Sequence, residues 1–147
     1  MEASKLVHSY SFQIEVLDIT DGSSPENFYE VEGLSISLKT EKYMPGGYNK
    51  PFDIPISSQR GDLRFKRPLI EGKTKITQWC EEAVDKLTFK LTRVQILVLN
   101  KDAKVVAQWV AEDAYPKGIE ITPIGIGSDT LIGESITLSY SRLARVK

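Results

Sequence analysis

The stretch from Asn27 to Pro68 limits what this chain can fold into more than any other. It reads NFYEVEGLSISLKTEKYMPGGYNKPFDIPISSQRGDLRFKRP, two strand-like alternating runs around a Gly/Pro-rich excursion from Met44 to Pro51. Alternation with a period of two marks a strand with one buried face. Tight hairpins close with about two to five residues. An excursion holding Pro45, Gly46, Gly47, Tyr48, Asn49 and Pro51 therefore takes the backbone out of the ladder. Such a loop either grips a partner or is a solvated turn.

Around it the same logic finds further strands. Tyr10, Phe12, Ile14 and Val16 alternate with Ser11, Gln13 and Glu15, and Asp18 to Glu26 reads as a turn. The second strand starts near Phe28 and passes Gly33, where the missing side chain predicts a bulge or a close backbone approach. Ile36 and Leu38 resume it, and Phe52–Ile56 is a short extended piece that Pro55 confines to an edge or a strand end. Leu63 and Phe65 face inward, with Asp62, Arg64 and Lys66 outward and Pro68 as the stop. The basic cluster Arg60, Arg64, Lys66 and Arg67 reads as a solvated or subunit-facing strand, because acids are interleaved and the whole chain is near neutral.

Thr74 to Ala83 is the one good helix, with Ile76, Trp79, Cys80 and Ala83 on a single apolar stripe. Trp79 on that stripe reads as a core anchor, and Cys80 as a small buried hydrophobe. Glu81 and Glu82 are adjacent on a helix and do not face each other, which makes them a poor acid–base couple. Beyond the helix, Phe89 and Leu91 are expected inward, then Val94, Ile96 and Val98. That phase slip at Thr92–Arg93 predicts a bulge or a turn. Asn100–Ala103 is a hairpin turn into Val105–Val110, where Trp109 is a second packing anchor. Ala111–Gly118 reads as a loop and Ile119–Pro123 as another strand. Gly125-Ile126-Gly127 is too short for a dinucleotide fingerprint and reads as a flexible turn.

The last strand is the cleanest. Ile132, Ile136, Leu138 and Tyr140 share a face with Glu134, and Ser135, Thr137, Ser139 and Ser141 share the other. A lone carboxylate on an apolar face predicts an Arg or Lys partner from a neighbouring strand or subunit, since burying an unpaired charge is costly. Ile136 and Leu138 are expected in the core. The small hydroxyls opposite are unusual for an open surface.

About seven or eight strands and one short flanking helix make a mainly β domain, a small barrel or sandwich whose closure would remove free edges. The chain has 147 residues, 41% of them hydrophobic and 27% charged, and a net charge of −1. That suits a single soluble domain without a global pull toward nucleic acid. No apolar run approaches the roughly 18 residues of a membrane span. The first residues lack a signal-peptide pattern, so synthesis in the cytoplasm is expected. A single cysteine (Cys80) and a single histidine (His8, in an expected N-terminal arm over residues 1–9) exclude an internal disulfide and a Cys/His zinc site. No base, nucleophile or metal cluster is in view, so neither an enzyme nor a cofactor is expected.

The order and spacing of the motifs resemble the tail-tube family of contractile phages and of extracellular contractile injection systems. Val31-Glu32-Gly33-Leu34 leads through Glu41, Tyr43 and Gly46-Gly47-Tyr48-Asn49, past Pro55, to Gly61–Arg67. Trp79, Val94–Leu99, Trp109, Ala114, Pro116 and Glu134 follow in step, so the resemblance spans roughly Tyr10 to Arg142. It implies a barrel with one flanking helix and hexameric rings stacked into a hollow tube inside a sheath. A long loop, here about residues 40–52, would reach the adjacent ring through Glu41, Tyr43, Gly46, Gly47, Tyr48 and Asn49. Ser135, Thr137 and Ser139 are the candidates for the lumen face, past which cargo protein or DNA would move. Implied partners are further copies of the chain, the sheath and the baseplate, in a tail-like particle assembled in the cytoplasm and then released, without membrane insertion of the subunit. A contractile-phage tail tube is the near alternative. A ligand-binding barrel is the rival from another class, which would stay monomeric around an apolar cavity.

Overall fold

In the computed structural model, residues 11–20, 26–88, 90–124 and 131–147 are described. In chain order they form β1 (Ser11–Val16), β2 (Glu26–Phe28), β3 (Glu30–Glu32), β4 (Ile36–Tyr43), β5 (Phe52–Arg60), β6 (Leu63–Pro68), α1 (Lys75–Lys86), β7 (Thr92–Leu99), β8 (Val105–Ile124), β9 (Leu131–Ser139) and β10 (Arg142–Arg145). His8, Phe89, Gly125-Ile126-Gly127 and residues 1–9 lie outside the described residues, as does the Arg60 side chain.

The main sheet runs β2-β1-β7-β8-β9-β6-β3, with β10 beside β8 and every pairing antiparallel. Its two ends are consecutive in the chain. β2 pairs with β1, β3 pairs with β6, and only Tyr29 separates them, its N–H donating to the Lys66 carbonyl at 3.2 Å. The segment Glu26–Glu32 thus joins both edges, and the sheet rolls shut into a small barrel. Ile14, Val16, Phe28, Leu63, Phe65, Val94, Ile96, Ile136 and Leu138 fill the interior.

Helix α1 packs against β8. Thr74 caps its start by accepting the Thr77 N–H at 3.2 Å, and Leu87, at φ 53°, ends it in the left-handed region. Ile76, Cys80 and Ala83 are buried as the stripe predicts, together with Thr77. Trp79 and Trp109 are only partly buried, packed against the core rather than enclosed by it.

Three local readings are corrected. Ala111–Gly118 is no loop but the middle of the 20-residue β8, whose first half pairs with β7 and β10 and whose second half pairs with β9. The strand bends there. Asp113 has φ 54°, and the register shifts between Pro116 and Gly118, an irregularity that accommodates a proline. Leu91 is exposed, because it precedes β7 and the register shift between Thr92 and Val94 that the phase slip predicts. Ile132 is exposed at 47%, beyond the last core layer of β9.

Candidate functional site

The hairpin of β4 and β5 stands outside the barrel as a separate two-stranded sheet. Its root is built from close backbone contacts. Gly33 has φ +94°, and a Cβ there would collide with the Asp62 carbonyl, so the predicted close approach is realised. Ser35 N–H donates to the Gly33 carbonyl at 2.8 Å, and the Tyr140 hydroxyl lies 3.4 Å from the carbonyls of both Gly33 and Ser35. Lys117 pairs with Asp62 at 3.1 Å across the same root.

Beyond the root the arm is wet on all sides, and every residue of β4 is exposed. The loop predicted over residues 40–52 is shorter than expected. Glu41 pairs with Ile54 and Tyr43 with Phe52 in the ladder, leaving Met44–Pro51 as the connection. Strand propensity at Tyr43 and Phe52 extends the pairing to the edge of the Gly/Pro segment. Pro55 sits next to the register shift between Lys39 and Thr40, in a strand that among the described residues pairs with β4 alone. In the connection, Tyr48 N–H donates to the Pro45 carbonyl at 3.3 Å, and Gly47 has φ +90°. No atom stands within 4 Å of a Cβ added at Gly46 or Gly47. Tyr48 meets Phe52 edge-on with centroids 5.7 Å apart, and Asn49 is exposed.

On β9, Ser135, Thr137 and Ser139 point out of the barrel and are half-buried, while Ile136 and Leu138 are fully buried. The hydroxyl row has charged neighbours. Ser135 lies between Lys66 and Glu120, and Thr137 between Arg64 and Gly118. Lys66 bonds Glu32 at 3.1 Å, and that hydrogen bond holds the Glu32 carboxyl below its ordinary pKa. A surface concavity of about 380 Å³ runs along this face, lined among others by Glu30, Arg64, Lys66, Glu120 and Ser135.

Glu134 points the other way and is 3% exposed. Its Oε2 accepts Arg67 Nε at 3.0 Å and its Oε1 accepts the Thr77 hydroxyl at 2.9 Å. Arg67 also donates to Glu26 at 2.9 Å, to Thr74 at 3.0 Å and to Thr77 at 3.3 Å, and lies 4.4 Å over the Phe28 ring. Glu26 in turn accepts the Ile76 N–H at 2.9 Å, so a barrel carboxylate meets the start of α1. Arg67 is therefore not part of a solvated basic strand, because Leu63, Phe65 and Arg67 all face inward. Continuing the alternation by two residues would have identified it as the partner of Glu134.

Among the described residues no three His, Cys, Asp or Glu side chains form a metal-binding group. The Cys80 thiol is pushed up to about 12 by burial, with Glu134 and Glu26 adding to the effect. It stays a thiol at neutral pH. Among the described residues no helix is long and apolar enough to cross a membrane.

The chain is similar in fold to solved injection-particle proteins. One from the extended sheath/tube terminator of the extracellular contractile injection system PVC is 22% identical, covers 99% of this chain and 100% of that one, and has a TM-score of 0.79. One from the extended PVC sheath–tube complex is 23% identical over 95% of this chain and 90% of that one, with a TM-score of 0.76. One from the anti-feeding prophage baseplate is 19% identical over 99% and 97%, with a TM-score of 0.78. Comparison with curated proteins gives no match. The family described as "T4-like virus tail tube protein gp19" matches residues 8–144. With nearly its whole length matched, the chain belongs to the T4-like virus tail tube protein family.

Proposed function

We propose that this chain is the inner-tube subunit of a contractile injection particle. Six copies close a ring, rings stack through the β4–β5 hairpin, and the Ser135, Thr137 and Ser139 face lines a lumen for cargo protein or DNA. Sheath and baseplate proteins of the same particle are the further partners. The observation that carries the reading is the hairpin, a strand pair outside the barrel whose large apolar side chains are left in water. The sixfold symmetry named for the anti-feeding prophage baseplate supports the ring number, and likeness to injection-particle proteins favours such a particle over a phage tail. The rival ligand-binding barrel is disfavoured by an interior filled with Phe28, Phe65, Ile14, Ile96 and Leu138.

Size measurement and electron microscopy test this directly, on the purified chain at high concentration and on particles from the producing cells. Rings and tubes are expected. A chain that remains single in both settings, or is absent from the particles, overturns the proposal.

A further inference from the structure

One side of β10 is open. Its residues pair with β8, and among the described residues no strand pairs with its other side. The Val146 N–H donates to the Gln108 carbonyl at 2.9 Å, which turns that residue toward β8. In an antiparallel ladder alternate residues direct both backbone groups to the same neighbour. Arg142 and Ala144 therefore also turn toward β8, and Leu143 and Arg145 turn their N–H and C=O groups away from it. The Leu143 side chain is part of the core, so this edge is anchored to the barrel.

Charge separates this edge from the others. The strands β2, β3, β4 and β5 also have a single neighbour, and each carries an acid, in Glu26, Glu30, Glu41 and Asp53. β10 holds Arg142 and Arg145 and no acid, and Lys147 follows it. The Lys147 Nζ donates to the Val105 carbonyl at 2.9 Å, which brings Lys104 into the same basic group. All of these bases are exposed. Glu112 is shared between Arg93 at 3.6 Å and Arg142 at 4.0 Å. Among the described residues, Lys104, Arg145 and Lys147 meet no carboxylate.

We infer that β10 is a docking edge for an acidic, extended segment of another protein, which joins the sheet as an added strand. Main-chain hydrogen bonds to Leu143 and Arg145 hold such a strand, and side chains beside the edge select it. Its carboxylates meet Arg142, Arg145 and Lys147. The same bases exclude a second copy of β10, because two such edges side by side would oppose like charges. Charge of a single sign thus rejects the wrong partner and admits the right one. A nucleic acid offers the charge but has no peptide groups to pair with the edge. The site is built by one copy of the chain and does not require the ring.

The test titrates the purified chain with a short peptide of alternating glutamate and valine and follows amide hydrogen exchange by nuclear magnetic resonance. With free peptide at roughly ten times its Kd, exchange at Leu143 and Arg145 is expected to slow about tenfold. Ala144, already turned to β8, is expected to be unchanged. The same peptide with alternate backbone nitrogens methylated keeps its charge and loses its hydrogen bonds. A peptide of alternating lysine and valine reverses the charge, and single-stranded DNA supplies charge alone. Each of these three is expected to bind about tenfold more weakly or worse. Arg142→Gln with Lys147→Gln is expected to weaken the acidic peptide about fivefold to tenfold. Neither residue lies in the core, so melting and the exchange of Ala144 are expected to hold, which shows β10 still paired with β8. The docking edge is overturned if Leu143 and Arg145 gain no protection, or if the double variant binds as wild type does. Equal binding by any of the three control ligands overturns it too. So does protection of Leu143 and Arg145 in the associated chain alone, since a second copy then occupies the edge. None of these outcomes alters the tube reading, which micrographs decide.

Discussion

Arg67 and Glu134 stand directly opposite each other on β6 and β9, and their side chains meet at 3.0 Å with 5% and 2% of their surfaces exposed. The single guanidinium also serves the partly buried Glu26, so two carboxylates share one cation. Thr74 and Thr77 complete its hydrogen bonds, and among the described residues no buried side-chain polar atom lacks a partner. Strands β2, β6 and β9 are thereby tied to the start of α1, which fixes where the helix lies on the barrel.

That arrangement predicts an order of severity. Arg67→Ala leaves two carboxylates without their cation and is expected to cost about 3–5 kcal/mol. Glu134→Ala leaves Arg67 still paired with Glu26 and is expected to cost less, about 1–3 kcal/mol. Urea unfolding followed by circular dichroism reads both. A larger loss for Glu134→Ala would contradict the shared-cation account.

The glycines of the arm divide into two kinds. Gly33→Ala forces a side chain against the Asp62 carbonyl at positive φ, and a fall in stability of about 1–3 kcal/mol is expected. Gly46→Val with Gly47→Val meets open space, so the melt is expected to move by no more than about 1–2 kcal/mol. Tube elongation is nevertheless expected to stop, because the branched side chains fill space a neighbouring backbone would use. Tubes of normal length from the double variant would refute this role for the tip.

Neighbouring residues of β9 should respond oppositely to lysine. Leu138→Lys places an unpaired charge in the core and is expected to abolish folding. Thr137→Lys adds a charge outside the barrel beside Arg64 and is expected to leave the subunit folded. In the assembled ring the repeated charges should weaken closure mainly at low salt, because at about 0.1 M the screening length falls to about 10 Å. Circular dichroism and ring mass across a salt series check both. An unfolded Thr137→Lys beside a folded Leu138→Lys would invert the two faces.

Cys80 gives a pH signature. Burial keeps the folded thiol protonated up to about 12, whereas the unfolded thiol ionises near 9.0. Its contribution is thus fully present below pH 9 and is lost as pH rises from there through about 12. The slope from this group is at most about 1.4 kcal/mol per pH unit. Cys80→Ala is expected to flatten the fall in stability over that window. Thiol reagents are expected to label Cys80 in the native protein at pH 8 only through unfolding. Rapid native labelling would contradict the burial argument.

The sequence by itself determined the strand faces, because a period of two survives whatever a strand pairs with. Ile14, Val16, Leu63, Phe65, Ile136 and Leu138 could be assigned inward on that ground alone, and the need of Glu134 for a cation followed from its place among them. The 3.6-residue stripe of Ile76, Cys80 and Ala83 determined the helix in the same way. Gly33 announced a close approach because only glycine permits one at positive φ.

Only the tertiary structure decided the rest. Ala111–Gly118 reads as a loop because Pro116 and Gly118 break local patterns, yet β9 and β10 run along one edge of β8 and hold it as a bent strand. Where the sheet closes depends on Glu26–Glu32 pairing with β1 and then with β6, partners separated along the chain. That Arg67, and no other basic residue of its strand, meets Glu134 depends on the register of β6 against β9. Pairing partners are chosen by the free energy of the whole closed barrel, and short-range patterns do not contain that sum.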